Sequence, residues 1–110
     1  FLKDDTYLPM MYMPDAIRAT IELMETSAEN ISVRTSYNIS GMSFSPKEIA
    51  GEIKKHIPAF AVNYVPDYRQ PIAESWPQSI DDSIAQKDWG WQPKYDLSSM
   101  AKDMIKNLIK

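Results

Sequence analysis

The side chains most often used in catalysis are scarce in this sequence. It contains one histidine, His56, and no cysteine, so thiolate or Cys/His zinc sites and Ser-His-Asp triads lack necessary parts. His56 itself stands beside two lysines at a predicted helix end, where a solvated position is expected. The three glycines cannot assemble a Gly-x-Gly-x-x-Gly loop or a P-loop. The sequence therefore predicts no nucleotide phosphate site of these types.

Two short motifs could still carry chemistry. Asp81 and Asp82 are adjacent carboxylates, and such a pair could bind a divalent metal or act in acid–base catalysis. Adjacent side chains on a helix diverge by about 100°, so an acidic helix N-terminus is the favoured interpretation. The run "YNISGMSFS" could present a serine nucleophile, but Gly41 more simply allows a turn between a strand and a helix.

The proline-rich segment 66–77 offers the best binding candidates. Arg69 stands there beside Tyr68 and a few residues before Trp76. A guanidinium next to aromatic side chains on a loop suits a ligand that bears a carboxylate or a phosphate. The structural alternative is an ion pair between Arg69 and either Asp67 or Glu74. Both interpretations stay open at this point.

Composition limits the classes of partner. The net charge of −3 is mild and the lysines are scattered, which disfavours nucleic acid. No apolar run approaches the roughly 20 residues that span a bilayer, so no membrane segment is expected. The absence of cysteine excludes disulfides and fits an intracellular protein. A chain of 110 residues with 44% apolar residues predicts one folded domain, residues 1–110.

Hydrophobic periodicity predicts the elements of the first half. A short strand is expected near residues 10–13, and a helix follows from Pro14. On that helix the predicted buried face is formed by Ile17, Ile21 and Met24, and the predicted polar row is Asp15, Arg18, Glu22 and Glu25. The alternation in "VRTSYNIS" predicts a strand over 33–40. Arg18 and Arg34 are accordingly expected at the surface.

The second half contains clearer helix signals. Ser45, three residues before Glu48, predicts a capped helix that ends before Pro58. "FAVNYV" then predicts a short strand, and 66–77 an irregular loop that can hold one helical turn. Ser79 is expected to cap a helix that Gly90 stops. Asp96 is expected to cap the last helix, which has Lys106 and Lys110 near its C-terminus.

The predicted fold class is α/β, with about three short strands and four helices. The alternating order favours parallel pairing for at least two strands. So thin a sheet leaves amphipathic helices without cover, which suggests one lobe of a larger protein. The abrupt start "FLKDDTYLPMMYM" fits a chain cut from a longer one, or equally a trimmed terminus.

Three segments together resemble a known family: "YMPDAIRATIELM", "SYNISGMSFSPKEIAGEIKKHIP" and "DDSIAQKDWGWQPKYDLSSMAKDMI". They are similar to the C-terminal third of the extended short-chain dehydrogenase/reductases, the epimerase/dehydratase group. The run "PDYRQPIAESWPQSIDDSIAQKDWGW" resembles the branch of NAD-dependent L-threonine 3-dehydrogenases. The resemblance covers essentially all of the chain and implies the small substrate-binding lobe of a Rossmann-type enzyme.

The resemblance also implies cofactor, partners and location. The full-length parent would use NAD to oxidise L-threonine to 2-amino-3-ketobutyrate. Its Rossmann domain, with the glycine-rich loop and the Ser/Thr, Tyr, Lys catalytic set, would precede this region, so the chain alone would bind no cofactor and be inactive. That missing domain and L-threonine are the expected partners, and exposed apolar surface could allow self-association. The expected location is the cytoplasm, or the mitochondrial matrix in a eukaryote.

Site residues carry over one at a time. Trp76 in "SWP" matches the tryptophan that lines the substrate pocket in the threonine dehydrogenases. Arg69 is similar to the loop arginine that contacts the substrate diphosphate in the epimerases, although threonine has no diphosphate. Residues 90–93 match the family's structural Gly-Trp-x-Pro turn. One departure is that Pro14 and Asp15 stand where family members commonly have an Asp-Asp pair.

Two other functions remain open from the sequence. The chain could be a free-standing α/β module that binds a ligand or a protein, or a fragment of a sugar-nucleotide epimerase/dehydratase. The second differs from the leading hypothesis only in its substrate, and the short "ESWP" context disfavours it. Trp89 and Trp91, unlike Trp76, are expected to anchor the last two helices to the core.

Overall fold

A computed structural model describes residues 1–109, and Lys110, predicted near the end of the last helix, lies outside this range. The described chain has mixed α and β structure, as expected for the α/β class. Its elements are strand β1 (Leu8–Met10), helix α1 (Met13–Glu25), a 3₁₀ turn (Ala28–Asn30), strand β2 (Met42–Phe44), and helices α2 (Pro46–His56), α3 (Arg69–Glu74), α4 (Ser83–Trp89) and α5 (Leu97–Leu108).

The two strands form a small antiparallel sheet, which corrects the expected parallel pairing. Leu8 pairs with Phe44 and Met10 with Met42. Gly41, just before β2, allows its backbone to lie close to the backbone of Met10 and is not needed for a turn. A Cβ at this position would stand 2.8 Å from the Met10 carbonyl oxygen. The backbone of Gly41 does not have a positive φ; within the described residues only Gly90 does.

The strands predicted over 33–40 and 60–65 are both wrong for the described chain, which has two strands instead of three. The side chains of 31–40 alternate in burial only in part, because Arg34, Thr35 and Ser36 are all exposed, and the backbone has no neighbouring strand in the described chain to pair with. Some of its backbone N–H groups donate to side chains instead: the Ser40 N–H donates to Asp82, and the Ser32 N–H donates to Asp88. The alternation in the sequence therefore did not predict whether the backbone pairs with a neighbouring strand.

Helix α1 is inverted relative to the sequence prediction. The first half of its polar row faces inward: Asp15 is 1% exposed, and the Arg18 side chain, expected at the surface, is only 22% exposed, whereas Glu25 at the end of the row is exposed. The predicted buried face is on the outside, with Ile17 and Met24 54% and 80% exposed. The inner carboxylate is stabilised by backbone N–H groups of Lys94 and Tyr95 and by Arg18.

The predicted helix caps are mostly confirmed. The Ser45 hydroxyl accepts a hydrogen bond from the Glu48 N–H at the start of α2, and Asp96 forms a capping box with Ser99 at the start of α5. Helix α4 begins later than predicted, because its N-cap is Asp82 and not Ser79. Gly90 ends it in the left-handed region, with φ of 71°, where a residue with a Cβ is disfavoured. The loop 66–77 contains the short helix α3.

The core is small and consists mainly of alanine. Trp91 is fully buried between Ala19 of α1 and Ala85 of α4, and Trp89 lies at its margin against Tyr37. Both tryptophans therefore pack beside α4, which confirms the predicted anchor for that helix; the cluster contains no residue of α5. A second contact joins α2 to α5, where Ala50 and Met100 are buried. No helix of residues 1–109 is long and apolar enough to cross a bilayer.

Candidate functional site

Trp76 follows α3 and lies at the rim of a polar pocket. Its backbone N–H donates to the Ala73 carbonyl, while its side chain remains 57% exposed. The adjoining cavity has a volume of about 240 Å³. Its walls come from the N-terminal segment and from α3 with the loop after it: Lys3, Asp5, Thr6, Tyr7, Gln70, Ala73, Glu74, Trp76 and Gln78. Two parts of the chain that are distant in sequence thus form one pocket.

Gln70 holds these two parts together. Only 6% of it is exposed, and its side-chain oxygen accepts the Lys3 backbone N–H at 2.8 Å. Its amide nitrogen donates to the Thr6 hydroxyl and to a Glu74 carboxylate oxygen, both at 2.9 Å. A buried amide with all of its polar atoms bonded fixes the local geometry, because losing one partner leaves a desolvated group.

The pocket is lined by one ammonium group, that of Lys3, and by the carboxylates of Asp5 and Glu74. The Lys3 ammonium and the Glu74 carboxylate are 3.4 Å apart, and both side chains are about half exposed. Hydrogen bonds from Gln70, and then from Lys3, lower the pKa of Glu74 below its ordinary value, which keeps it ionised. With the exposed indole beside them, these groups can contact a small zwitterion that has a short apolar side chain.

Arg69, the second predicted site residue, does not line this pocket. Its guanidinium donates to both carboxylate oxygens of Asp67, with distances down to 2.6 Å, and its central carbon lies 3.4 Å from the centroid of the Phe1 ring. These bonds lower the pKa of Asp67 to about 2. The structure therefore places the guanidinium in the ion pair with Asp67, and does not bring Arg69 and Trp76 together.

The other chemical candidates have structural partners. Asp81 accepts the Ser83 N–H, whereas Asp82 accepts from Ser40 and from the Gln86 amide, so the two carboxylates diverge as predicted. Within residues 1–109 no three His, Cys, Asp or Glu residues are grouped to hold a metal ion. His56 is exposed at the C-terminal end of α2.

Of the residues that line the pocket, only Trp76 is predicted from the sequence; Lys3, Gln70 and Glu74 are among those that are not. Gln70 and Glu74 are four residues apart, a spacing that brings side chains together on a helix, but the segment was predicted as mostly irregular. Lys3 gave no signal, since its contact with Gln70 spans 67 positions of the sequence.

Comparison with known proteins shows what this arrangement is similar to. The chain is 54% identical over 105 residues to the mitochondrial L-threonine 3-dehydrogenase of Bos taurus, covering 94% of this chain and 28% of that protein. It is 50% identical over 107 residues to an uncharacterized epimerase/dehydratase of Staphylococcus haemolyticus, covering 96% of this chain and 34% of the relative. The chain is a homologue of the C-terminal part of these enzymes. No protein-family model matches it.

Solved structures of L-threonine dehydrogenases have the same fold over this region. The chain superposes on the L-threonine dehydrogenase of Cupriavidus necator with a TM-score of 0.95 at 61% identity, over 98% of this chain and 39% of that one. A monomeric L-threonine 3-dehydrogenase from a metagenome gives 0.92 at 52% identity, over 98% and 35%. The chain spans about a third of the length of the relatives it matches.

Proposed function

We propose that residues 1–110 form the C-terminal substrate-binding lobe of an NAD-dependent dehydrogenase that oxidises L-threonine to 2-amino-3-ketobutyrate. The observation that carries the proposal is the similarity, over nearly the whole chain, to proteins named L-threonine 3-dehydrogenase. In the reaction the hydroxyl-bearing carbon gives a hydride to NAD and the hydroxyl gives a proton. This lobe contributes binding and orientation to that step, and hydride transfer belongs to the NAD-binding portion of the parent.

The pocket beside Trp76 supports an amino-acid substrate. Glu74 is ionised and can accept the substrate ammonium, Lys3 can pair with its carboxylate, and the indole can cover its methyl group. Each of these contacts acts on one part of the threonine molecule. Trp76 therefore serves as the apolar wall, and Gln70 holds the two charged side chains in register with it.

A sugar nucleotide is the second candidate, because a relative at 50% identity is named only as an epimerase/dehydratase. Such a substrate needs cations for its diphosphate. Arg69 is held by two carboxylate oxygens of Asp67 and lies outside the pocket. The placement of Arg69 outside the pocket favours threonine.

The proposed partner is the NAD-binding portion of the same polypeptide. One relative with this fold is described as monomeric, which supports contact within one chain over assembly of two copies. The bovine relative is named as mitochondrial, and we place the present enzyme in the cytoplasm or, in a eukaryote, the mitochondrial matrix.

Substrate turnover in the full-length protein tests the proposal. NADH formation should appear with L-threonine and be absent with UDP-galactose or UDP-glucose. Epimerisation of either sugar nucleotide without threonine oxidation would support the second candidate. Calorimetry on the isolated 110-residue chain should show no NAD binding; micromolar binding would favour a free-standing module.

A further inference from the structure

Strand β2 and the first turn of α2 contact both walls of the pocket beside Trp76. One wall, the N-terminal wall, is formed by residues 3–7, and the other, the α3 wall, by residues 70–78. Neither Ser43 of β2 nor Glu48 of α2 lines the pocket, but each bonds to a residue that does. These bonds connect one part of the fold, outside the pocket, to the two walls.

The N-terminal wall is held by two groups at the start of α2. The Tyr7 hydroxyl donates a hydrogen bond to the Glu48 carboxylate. This bond raises the pKa of Tyr7 above its ordinary value, which keeps the hydroxyl protonated. One position earlier, the Lys47 N–H donates to the Asp4 carbonyl oxygen at 3.0 Å. Because first-turn N–H groups have no partner within their own helix, this bond satisfies α2 and fixes the backbone of the wall at the same time.

The α3 wall is held by the neighbouring strand β2. The Ser43 hydroxyl donates to the Gln78 carbonyl oxygen, two residues after Trp76. Ser43 itself lies in the antiparallel sheet with β1. Between the two contact points, Ser45 is 3% exposed and caps α2. The groups that hold the two walls therefore belong to one short segment, 43–48, which is buried and capped at its centre.

We propose that Ser43 and Glu48 are positioning residues that set the distance between the two walls of the substrate pocket. Glu48 acts through the Tyr7 ring, and Ser43 acts through the loop that carries Trp76. The inference rests on the proposed function in one respect, that this pocket binds L-threonine. It goes further because it assigns a role in substrate binding to two residues that do not line the pocket.

The segment 43–48 supplies a support that Gln70 does not. Gln70 joins the two walls directly to each other. Two segments that are joined at one point can still pivot about it, and a second support removes that freedom. The segment 43–48 is this support, since it holds Tyr7 on one wall and Gln78 on the other. A site that orients its substrate needs its contact groups held to within about 0.5 Å.

Steady-state kinetics of the full-length protein test the two contacts. Glu48→Ala and Ser43→Ala should each raise the KM for L-threonine about fivefold, because a side chain or loop that is no longer held must be ordered when the substrate binds. The kcat should change by less than about twofold, since substrate and transition state lose the same binding. A purely structural loss would instead reduce the active fraction, which lowers kcat and leaves KM unchanged.

Conservative and control variants sharpen this measurement. Glu48→Gln keeps the acceptor and Ser43→Thr keeps the donor, so both should restore the wild-type KM. Lys54→Ala, at an exposed position of α2, and Ser98→Ala, at an exposed position of α5, should change neither constant. A KM in Glu48→Gln as high as in Glu48→Ala would overturn the role of Glu48, because the charge at the helix N-terminus would then be what matters. An unchanged KM in Ser43→Ala would overturn the role of Ser43.

A double variant tests whether Glu48 acts through Tyr7. Tyr7→Phe removes the same hydrogen bond from the other side. The combination of Tyr7→Phe with Glu48→Ala should therefore raise KM no further than either change alone. Additive effects of the two changes would overturn the assigned route.

Hydrogen exchange separates this inference from the proposed function. The Lys47 amide should exchange about tenfold faster in Glu48→Ala than in the wild type or in Glu48→Gln, because the wall that accepts its hydrogen bond is released. A wild-type protein that oxidises no L-threonine would refute the proposed function, and the exchange rates would still decide whether Glu48 holds the wall. Normal threonine oxidation in every variant, with unchanged exchange, would refute the inference alone.

Discussion

Trp91 and Trp76 are the same residue type in two opposite environments. Trp91 is 0% exposed, its indole N–H donates to the Ser40 carbonyl at 3.0 Å, and the Arg18 guanidinium stacks 4.6 Å above its ring. Trp76 is more than half exposed at the edge of a polar pocket. The first ring completes the core, and the second offers an indole face to whatever enters the pocket.

The difference teaches that cover from a second helix separates the two roles. Both tryptophans bond back to the helix before them: the Trp91 N–H donates to Ala85 of α4, and the Trp76 N–H donates to Ala73 of α3. The Trp91 ring also packs against Ala19 of α1 and is fully buried. The Trp76 ring, which follows a helix of only six residues, remains exposed and available for binding.

Removing the buried ring should have the largest effect. Trp91→Ala is expected to cost about 3–5 kcal/mol of unfolding free energy, because it opens a cavity where the largest core side chain was. Chemical denaturation measures the loss. Trp91→Phe, which keeps most of the packing but removes the donor to Ser40, should recover a large part of it. A loss no larger than that of Trp76→Ala would show that the two rings do not differ in the way described.

Replacing the buried carboxylate of Asp15 should have the second-largest effect on stability. Asp15→Asn removes the charge that pairs with Arg18 and weakens the bonds to the Lys94 and Tyr95 N–H groups, with an expected cost of about 2 kcal/mol. Glu25→Gln, the same change at an exposed position of α1, is the control and should be neutral. Comparable midpoints for the two variants in urea would contradict the inward orientation of the polar row.

Trp76→Ala in the full-length enzyme should show the opposite behaviour to Trp91→Ala, with a small effect on stability and a larger effect on turnover. Its unfolding free energy should change by less than about 0.5 kcal/mol, as at other surface positions. Its kcat/KM for L-threonine should fall about tenfold, which corresponds to about 1.4 kcal/mol of lost transition-state stabilisation. Steady-state kinetics and thermal melts on one sample measure both. A lowered melting temperature with unchanged kinetics would make Trp76 a packing residue.

The smallest effect is expected at Asp67, near the site but outside the pocket. Its pKa is lowered from 3.8 to about 2 by Arg69, so its contribution to stability is present above pH 4 and is lost as the pH falls through about 2. The wild-type protein should therefore melt slightly higher than Asp67→Asn at pH 5, and this difference should shrink as the pH falls towards 2. Arg69→Gln should abolish the same difference. A gap that widens on acidification would contradict the ion pair.

Local signals predicted the helices well. The caps at Ser45 and Asp96 and the stop at Gly90 depend on residues within four positions of each other, and all three are present in the structure. The inversion of α1 could not be predicted, because periodicity shows that a helix has two unlike sides but not which side this chain covers. Here Lys94 and Tyr95, about 80 residues away, decide it.

Strands and the pocket depended on distant partners as well. The segment 33–40 has the side-chain alternation of a strand, yet a strand exists only with a neighbour, and none lies in the described chain. For the site, Trp76 came from family resemblance, while Lys3 could be joined to it only through its contact with Gln70 across 67 positions. The sequence left open whether Arg69 binds a ligand or pairs with a carboxylate. Only the distance between Arg69 and Asp67 in the structure shows that the guanidinium is held by Asp67.

The hydrogen bonds from the Lys94 and Tyr95 N–H groups to the Asp15 carboxylate have a consequence for synthesis. The bonded residues are 79 and 80 positions apart, and ribosomes add roughly 5–20 residues per second. The carboxylate is therefore synthesised about 4–16 seconds before the N–H groups that hold it. During that interval Arg18, three residues along the same helix, is the one of these partners that already exists.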